Sequence, residues 1–204
     1  MSAKLMTYVV KGRVEAGCDE AGRGCLAGPV VAAAVVLTPA VARALPLNDS
    51  KQLTAQQRNQ LRQEIEAKAV SWGVAFVSPE DIDRMNILQA SFEAMRRAVR
   101  ELAGVPDHLL IDGNRFVPAP DMPPHTCFVK GDAKVASIAA ASILAKTYRD
   151  EYMLKAAETY PGYGWDTNMG YPTVAHRKGL VKLGPTPLHR ASFTWAPPAP
   201  TLFD

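Results

Sequence analysis

No apolar run in this 204-residue chain approaches the roughly 20 residues that a helix needs to cross a bilayer. The opening stretch "MSAKLMTYVVKGRVEAG" carries too short an apolar segment for a secretory signal, and Lys11 and Arg13 follow close behind it. A soluble, cytoplasmic protein is the expectation. Cysteine is scarce: Cys18, Cys25 and Cys127 form no C-x-x-C pair, and their number is odd. That argues against a disulfide framework or a zinc site and for reduced thiols. Charge of one sign is missing too. The net charge is only +3, so no global field announces a nucleic-acid partner. Internal repeats are absent.

What is present is ordinary in amount. With 48% hydrophobic and 21% charged residues, the chain suits a single domain with a sizeable core. Its basic residues are clustered: Arg96, Arg97 and Arg100; Lys130 and Lys134; Lys146 and Arg149; His176, Arg177 and Lys178; His189 and Arg190. Such clusters are either solvated helix faces or parts of a surface that tracks phosphates.

Strands are expected at "RVEAGC", at the β-branched run 29–37, at 69–78, and at "DHLLID" (107–112) and "HTCFVK" (125–130). The compact glycine-rich turn between the first two suits antiparallel neighbours. Thr54 and Gln57 stand at capping-box spacing before a helix that places Leu61, Ile65 and Ala69 on one face. Ser78-Pro79 opens a short helical turn. Leu88, Phe92, Met95, Val99 and Leu102 mark an amphipathic helix stopped by Gly104. A long alanine-rich helix runs from 134 to Pro161-Gly162, and "TVAHRKGLVKLG" forms a last short one after a loop rich in Gly, Tyr and Trp. The tail "APPAPTLFD" is proline-rich and expected to be loose. Strands interleaved with helices in this order make a mixed sheet flanked by helices.

The chemistry concentrates in acids that end apolar strands. "GCDEAGRGCLAGPVVAAAVVL" sets Asp19 and Glu20 against Gly22, Arg23, Gly24 and Gly28. A dinucleotide loop would need its glycines to open a helix; here Gly28 leads into Pro29 and a strand-like run, which disfavours an oxidoreductase. Asp112 follows "HLLI" and precedes Gly113-Asn114. Asp132 follows "CFVKG", ahead of the long helix. Asp112 is either a turn-forming residue or a ligand, and Asp132 either a helix cap or a ligand. For Asp19 and Glu20 a passive role is harder, since carboxylates beside a core are expensive unless paired and Arg23 is the only cation near them in sequence. Four converging carboxylates suit a hard divalent cation. Adjacent strand residues point to opposite faces, so Asp19 and Glu20 share a site only if the chain turns there, a turn that Ala21-Gly22 is expected to begin. Paired ions are the usual machinery of phosphodiester hydrolysis.

The segments "GCDEAGRGCLAGPVVAAAVV", "LLIDGN", "VKGDAKVASIAAASILAKTYRD", "GYPTVAHRKGL" and "GPTPLHRASF", spread over residues 14 to 193, closely resemble bacterial ribonuclease HII. The resemblance implies an RNase H-like α/β fold: a five-stranded mixed sheet with helices in a core of about 14–160, a C-terminal helical portion of about 161–193, and the tail 196–204. It implies an endonuclease that cuts the RNA strand of RNA/DNA hybrids and incises 5′ of ribonucleotides embedded in duplex DNA. The products carry 3′-hydroxyl and 5′-phosphate ends, as ribonucleotide excision repair and primer removal require. Asp19, Glu20, Asp112 and Asp132 would hold two Mg²⁺ or Mn²⁺ ions. Gly22, Arg23 and Gly24 would read the 2′-hydroxyl, helped by Tyr171 stacked on the sugar at the RNA–DNA junction. Lys51, Ser142, Lys146, His176 and Arg190 are candidate phosphate contacts. Two further readings stay open: a hybrid-binding module without turnover, and a sliding-clamp partner met through the terminal "PTLFD".

Overall fold

Seven small or β-branched residues in succession, Val30–Val36, form strand β2, and all seven are buried. A strand apolar on both faces belongs inside a sheet that is covered on both sides. In the computed structural model, which describes residues 5–47 and 53–195, β2 lies between β1 (Glu15–Ala21) and β3 (Ser71–Val77), antiparallel to each. β4 (His108–Asp112) pairs parallel with β1, and β5 (His125–Phe128) parallel with β4. The sheet is five-stranded and mixed, as expected, and its strands run in the order β3-β2-β1-β4-β5. β5 stops short of residue 130, where Lys130 takes a left-handed conformation at φ 56°.

The alternation of β2 divides the core. Val30, Ala32, Ala34 and Val36 meet Phe92, Met95, Ala98 and Val99 of α4 (Ile87–Arg100). Ala33 and Val35 meet Leu61 and Ile65 of α2 (Ala55–Lys68) and Ala140, Ala141 and Leu144 of α5 (Ala136–Thr159). The capping box at α2 is complete: Thr54 Oγ1 accepts from the Gln57 amide, and the Gln57 side chain accepts from the Thr54 amide. The expected face of α2 keeps Leu61 and Ile65 but ends before Ala69, which is the residue that caps it.

α5 lies directly on β1. A methyl group placed on Gly17 would come within 2.2 Å of the Ser137 backbone carbon. Only glycine permits that approach.

Two helices were not legible beforehand. α1 (Pro39–Ala44) is capped by Thr38, whose hydroxyl accepts from the Val41 amide, and the four-residue α6 (Trp165–Asn168) lies in the expected loop. Both are too short to show a helical period. α3 (Pro79–Met85) starts on the Ser78 cap and α7 (Val174–Leu183) on the Thr173 cap. Among the described residues no helix is long and apolar enough to cross a membrane. All three cysteines are free, Cys18 and Cys25 being buried.

Candidate active site

Parallel pairing sets the site. Cys18 of β1 stands opposite Ile111 of β4, so the next residues, Asp19 and Asp112, lie just beyond the last paired positions of these two adjacent strands. Asp19, Glu20 and Asp112 line one cleft of about 270 Å³, with Gly22, Arg23, Gly24, Ser142, Lys146 and Tyr171 among its other walls. The turn comes one residue later than expected: β1 stays paired through Ala21, and the chain departs at Gly22, φ +96°. Asp19 and Glu20 nonetheless both line the cleft, and Asp19 Oδ1 accepts from the Glu20 amide at 2.7 Å.

Electrostatics make the acids uneasy neighbours. Burial, then the charges of Glu20 and Asp112, push the Asp19 carboxyl well above the ordinary carboxylate range, against the hydrogen bond it receives from Ser142. Burial also raises Glu20, and the Arg23 guanidinium opposes the rise. Arg23 meets one Glu20 oxygen at 3.2 Å; the other, Oε2, is buried with no hydrogen-bond partner. An orphaned carboxylate oxygen in an all-oxygen donor set fits a hard divalent cation. Among the described residues, however, no three His, Cys, Asp or Glu side chains form a ready-made ligand cage.

Asp112 is not held by its own turn. Its Oδ1 accepts from the Gly131 amide at 2.6 Å, joining the two strand ends. Asp132, the next residue after Gly131, is buried in a 3-10 turn (Gly131–Ala133) and is not among the residues lining the cleft. It is no helix cap either: Val135 occupies that position at α5, without a side-chain bond. The structure thus gathers three of the four acids in the cleft and sets the fourth beside the loop that anchors Asp112.

The candidate phosphate contacts divide. Ser142 and Lys146 reach the cleft from α5, Ser142 engaged with Asp19 and Lys146 paired with Asp150 at 2.7 Å. Lys51 lies outside the described residues. His176 and Arg190 require correction, since both are 0% exposed and so meet no phosphate at the surface. Arg190 instead donates to the carbonyls of Gly22, Arg23 and Gly28 at 2.8–3.0 Å, turning the loop's carbonyls inward. Arg23 and Gly24 stay exposed, and a methyl on Gly24 would meet open space.

His176 sits among aromatic rings. Its Nδ1 bonds the Tyr171 carbonyl at 2.9 Å, while its Nε2 accepts from Trp165 and lies 3.1 Å from His189 Nε2. His189 Nδ1 accepts from the Thr186 amide, which leaves its Nε2–H to donate to His176. Burial lowers both rings, His189 to about 4, so the pair stays neutral at physiological pH. Tyr171, 41% exposed, presents its ring to the cleft within 5.9 Å of Lys146 Nζ.

The sequence reading set Arg149 only in a basic surface cluster with Lys146; it is instead a wholly buried cation on α5 that touches the same loop. A signal was available: Ala145, Arg149 and Met153 recur every fourth residue on a stripe that is otherwise apolar and wholly buried.

Comparison with known proteins bears on the family and the fold. The Ribonuclease HII family profile matches residues 16–196. Ribonuclease HII of Parabacteroides distasonis is 59% identical over 97% of this chain and 98% of its own length, and that of Bacteroides thetaiotaomicron is 59% identical over 93% and 94%. Among solved structures, the ribonuclease H2 from Pyrococcus horikoshii OT3 superposes with a TM-score of 0.75 at 28% identity, over 89% of this chain and 94% of that one. The RNase HII of Archaeoglobus fulgidus, solved as a PCNA complex, gives 0.73 at 28% identity over 93% and 98%. Bst-RNase HIII in complex with Mn²⁺ gives 0.69 at 21% identity over 90% and 68%, a likeness of fold alone. A five-stranded RNase H-like sheet, an acid pair running into a Gly-Arg-Gly turn, and near-complete alignment with curated relatives have one explanation: this chain belongs to the ribonuclease HII family of metal-dependent endoribonucleases, which cleave RNA in RNA/DNA hybrids.

Proposed function

We propose that this ribonuclease HII also nicks duplex DNA on the 5′ side of an embedded ribonucleotide, leaving 3′-hydroxyl and 5′-phosphate ends, and that it works as one cytoplasmic domain with the C-terminal helices completing its substrate surface. Asp19, Glu20 and Asp112, with Asp132 behind the Asp112 anchor, hold two Mg²⁺ or Mn²⁺ ions. Such ions, when bound, supply an activated water and neutralise the departing 3′-oxygen. The carrying observation is the buried, unpartnered Oε2 of Glu20 in a cleft shared with Asp19 and Asp112.

The chain's own groups do the rest. Ser142 keeps the Asp19 carboxylate oriented through its hydrogen bond. Lys146 brings positive charge to the rim for a phosphate. With the Gly22 and Arg23 carbonyls committed to Arg190, the Gly22–Gly24 loop offers amide donors to the 2′-oxygen of a ribose, and Tyr171 packs against the sugar. The hydroxyl is read, not used as the nucleophile.

A duplex bearing one ribonucleotide tests this directly. Nicking 5′ of the ribonucleotide is expected with Mg²⁺ and is expected to stop when chelator is added. Binding without cleavage would favour a non-catalytic hybrid-binding module, and indifference to the duplex would refute both readings.

The PCNA complex of the archaeal relative supports a clamp-docking role for "PTLFD", a segment outside the described residues. Removing residues 196–204 is expected to abolish association with a purified bacterial sliding clamp and to leave hybrid cleavage intact. Unchanged association would end that proposal.

A further inference from the structure

Arg149 is 0% exposed, yet among the described residues no carboxylate accepts from it: its three hydrogen bonds there all go to backbone carbonyls. Nε donates to Pro29 at 3.0 Å and Nη2 to Ala27 at 3.0 Å, both at the far end of the glycine-rich loop. Nη1 donates to Met169 at 2.8 Å, two residues before Tyr171. One planar group therefore spans the two segments proposed to read the ribose. Its Cζ lies 5.9 Å from the Tyr171 ring centroid.

The backbone is built around that group. A methyl on Gly22 would stand 2.1 Å from Arg149 Nε, and one on Gly28 would stand 3.4 Å from Nη2. Where the segments touch, the Leu26 amide donates to Gly170 at 2.8 Å, and a methyl on Gly170 would fall 2.6 Å from the Ala27 carbonyl. Burying a cation among neutral acceptors is expensive. Fork geometry is what that expense secures here, because five donors in a rigid plane can hold several carbonyls at fixed angles where an ammonium cannot. Arg190 makes a contrast: its bonds to Gly22, Arg23 and Gly28 stay within the loop and never reach the Tyr171 segment.

We infer that Arg149 is a specificity-determining positioning residue: it fixes the register between the Gly22–Gly24 loop and Tyr171, and so sets the preference for a ribonucleotide followed by a deoxynucleotide. The inference rests on the proposed roles of that loop and of Tyr171. Misplacing either half by a fraction of an ångström separates a contact to the 2′-oxygen from a contact to the neighbouring sugar. Uniform hybrids offer a 2′-hydroxyl at every step and tolerate the error better than a single embedded ribonucleotide does.

The readout is the ratio of kcat/KM for a duplex with one embedded ribonucleotide to that for a uniform RNA/DNA hybrid, in the full chain with Mg²⁺. Arg149→Lys is expected to lower this ratio by about tenfold, mostly through kcat on the embedded substrate. A merely structural loss would depress both substrates alike and leave the ratio in place. Should Arg149→Lys not fold, Gly170→Ala strains the same register from the opposite side and carries the same expectation. Tyr171→Ala separates the two layers of the argument. A ratio that falls in Tyr171→Ala but holds within about twofold of the parent in a folded Arg149→Lys or Gly170→Ala overturns the inference. A ratio unmoved in Tyr171→Ala removes the reading beneath it, and the inference falls with that reading.

Discussion

Asp19→Asn reduces cleavage of an RNA/DNA hybrid by at least about a thousandfold, roughly 4 kcal/mol of transition-state stabilisation, while hybrid binding stays within a few-fold of the parent. The substitution keeps the shape of the side chain and removes its charge. Loss of activity follows because Asp19 is the acid most enclosed by the others: Glu20 adjoins it and Asp112 ends the neighbouring strand. Binding is expected to survive because the groups proposed to meet phosphate and ribose, Lys146, Arg23 and Tyr171, are other residues around the cleft.

The same variant has a second signature, in stability. Folding raises the proton affinity of the Asp19 carboxyl above that of the unfolded chain. As pH climbs through the window between the two values, the unfolded state releases its proton first, so stability falls toward neutrality. Asparagine never carries that charge. Metal-free Asp19→Asn is therefore expected to melt above the metal-free parent at neutral pH, and Mg²⁺ is expected to stabilise the parent more than the variant. Thermal melts with and without Mg²⁺ check this without reference to turnover. Full activity in the variant, or the same Mg²⁺-induced shift in both proteins, would refute the assignment.

Gly17→Ala is the largest expected loss of stability. The added methyl meets the Ser137 carbon at 2.2 Å, the Ile138 nitrogen at 2.3 Å and the Ser137 oxygen at 2.5 Å, all backbone atoms. No rotamer change relieves such a contact; α5 itself must move off β1. Overpacking of this kind costs about 3 kcal/mol, which in a chain of this size lowers the melting temperature by roughly 6–12 °C. Activity is expected to fall as well, because α5 carries Ser142, Lys146 and Arg149. A melting temperature within about 2 °C of the parent would show that α5 can shift cheaply.

How much of this was legible beforehand depended on the physical signal behind each feature. The run Val30–Val36 and the spacing of Phe92, Met95 and Val99 are periodic patterns set by burial, and both became the expected elements. Asp112 was legible as an acid closing an apolar strand before Gly-Asn, although its anchor, the Gly131 amide, depends on strand pairing that no local pattern reveals. Asp132 was legible as an acid and not as to place, because a 3-10 turn takes up the residues that a helix cap would have used. His176 and Arg190 were assigned to the surface because a basic side chain ordinarily belongs there. Their burial follows from partners distant in the chain: aromatic rings and the Tyr171 carbonyl for one, loop carbonyls for the other. Resemblance to the family is what suggested roles for Gly22–Gly24 and Tyr171, which residue spacing alone left open.

The bond from Arg190 to the Gly22 carbonyl spans 168 positions of sequence. During synthesis the chain emerges from its N-terminus, so the acids and all five strands are available long before the guanidinium that orders the glycine loop. A nascent chain paused ahead of that arginine is expected to lack the bonds that turn the Gly22, Arg23 and Gly28 carbonyls inward, and so to hold its glycine loop unset.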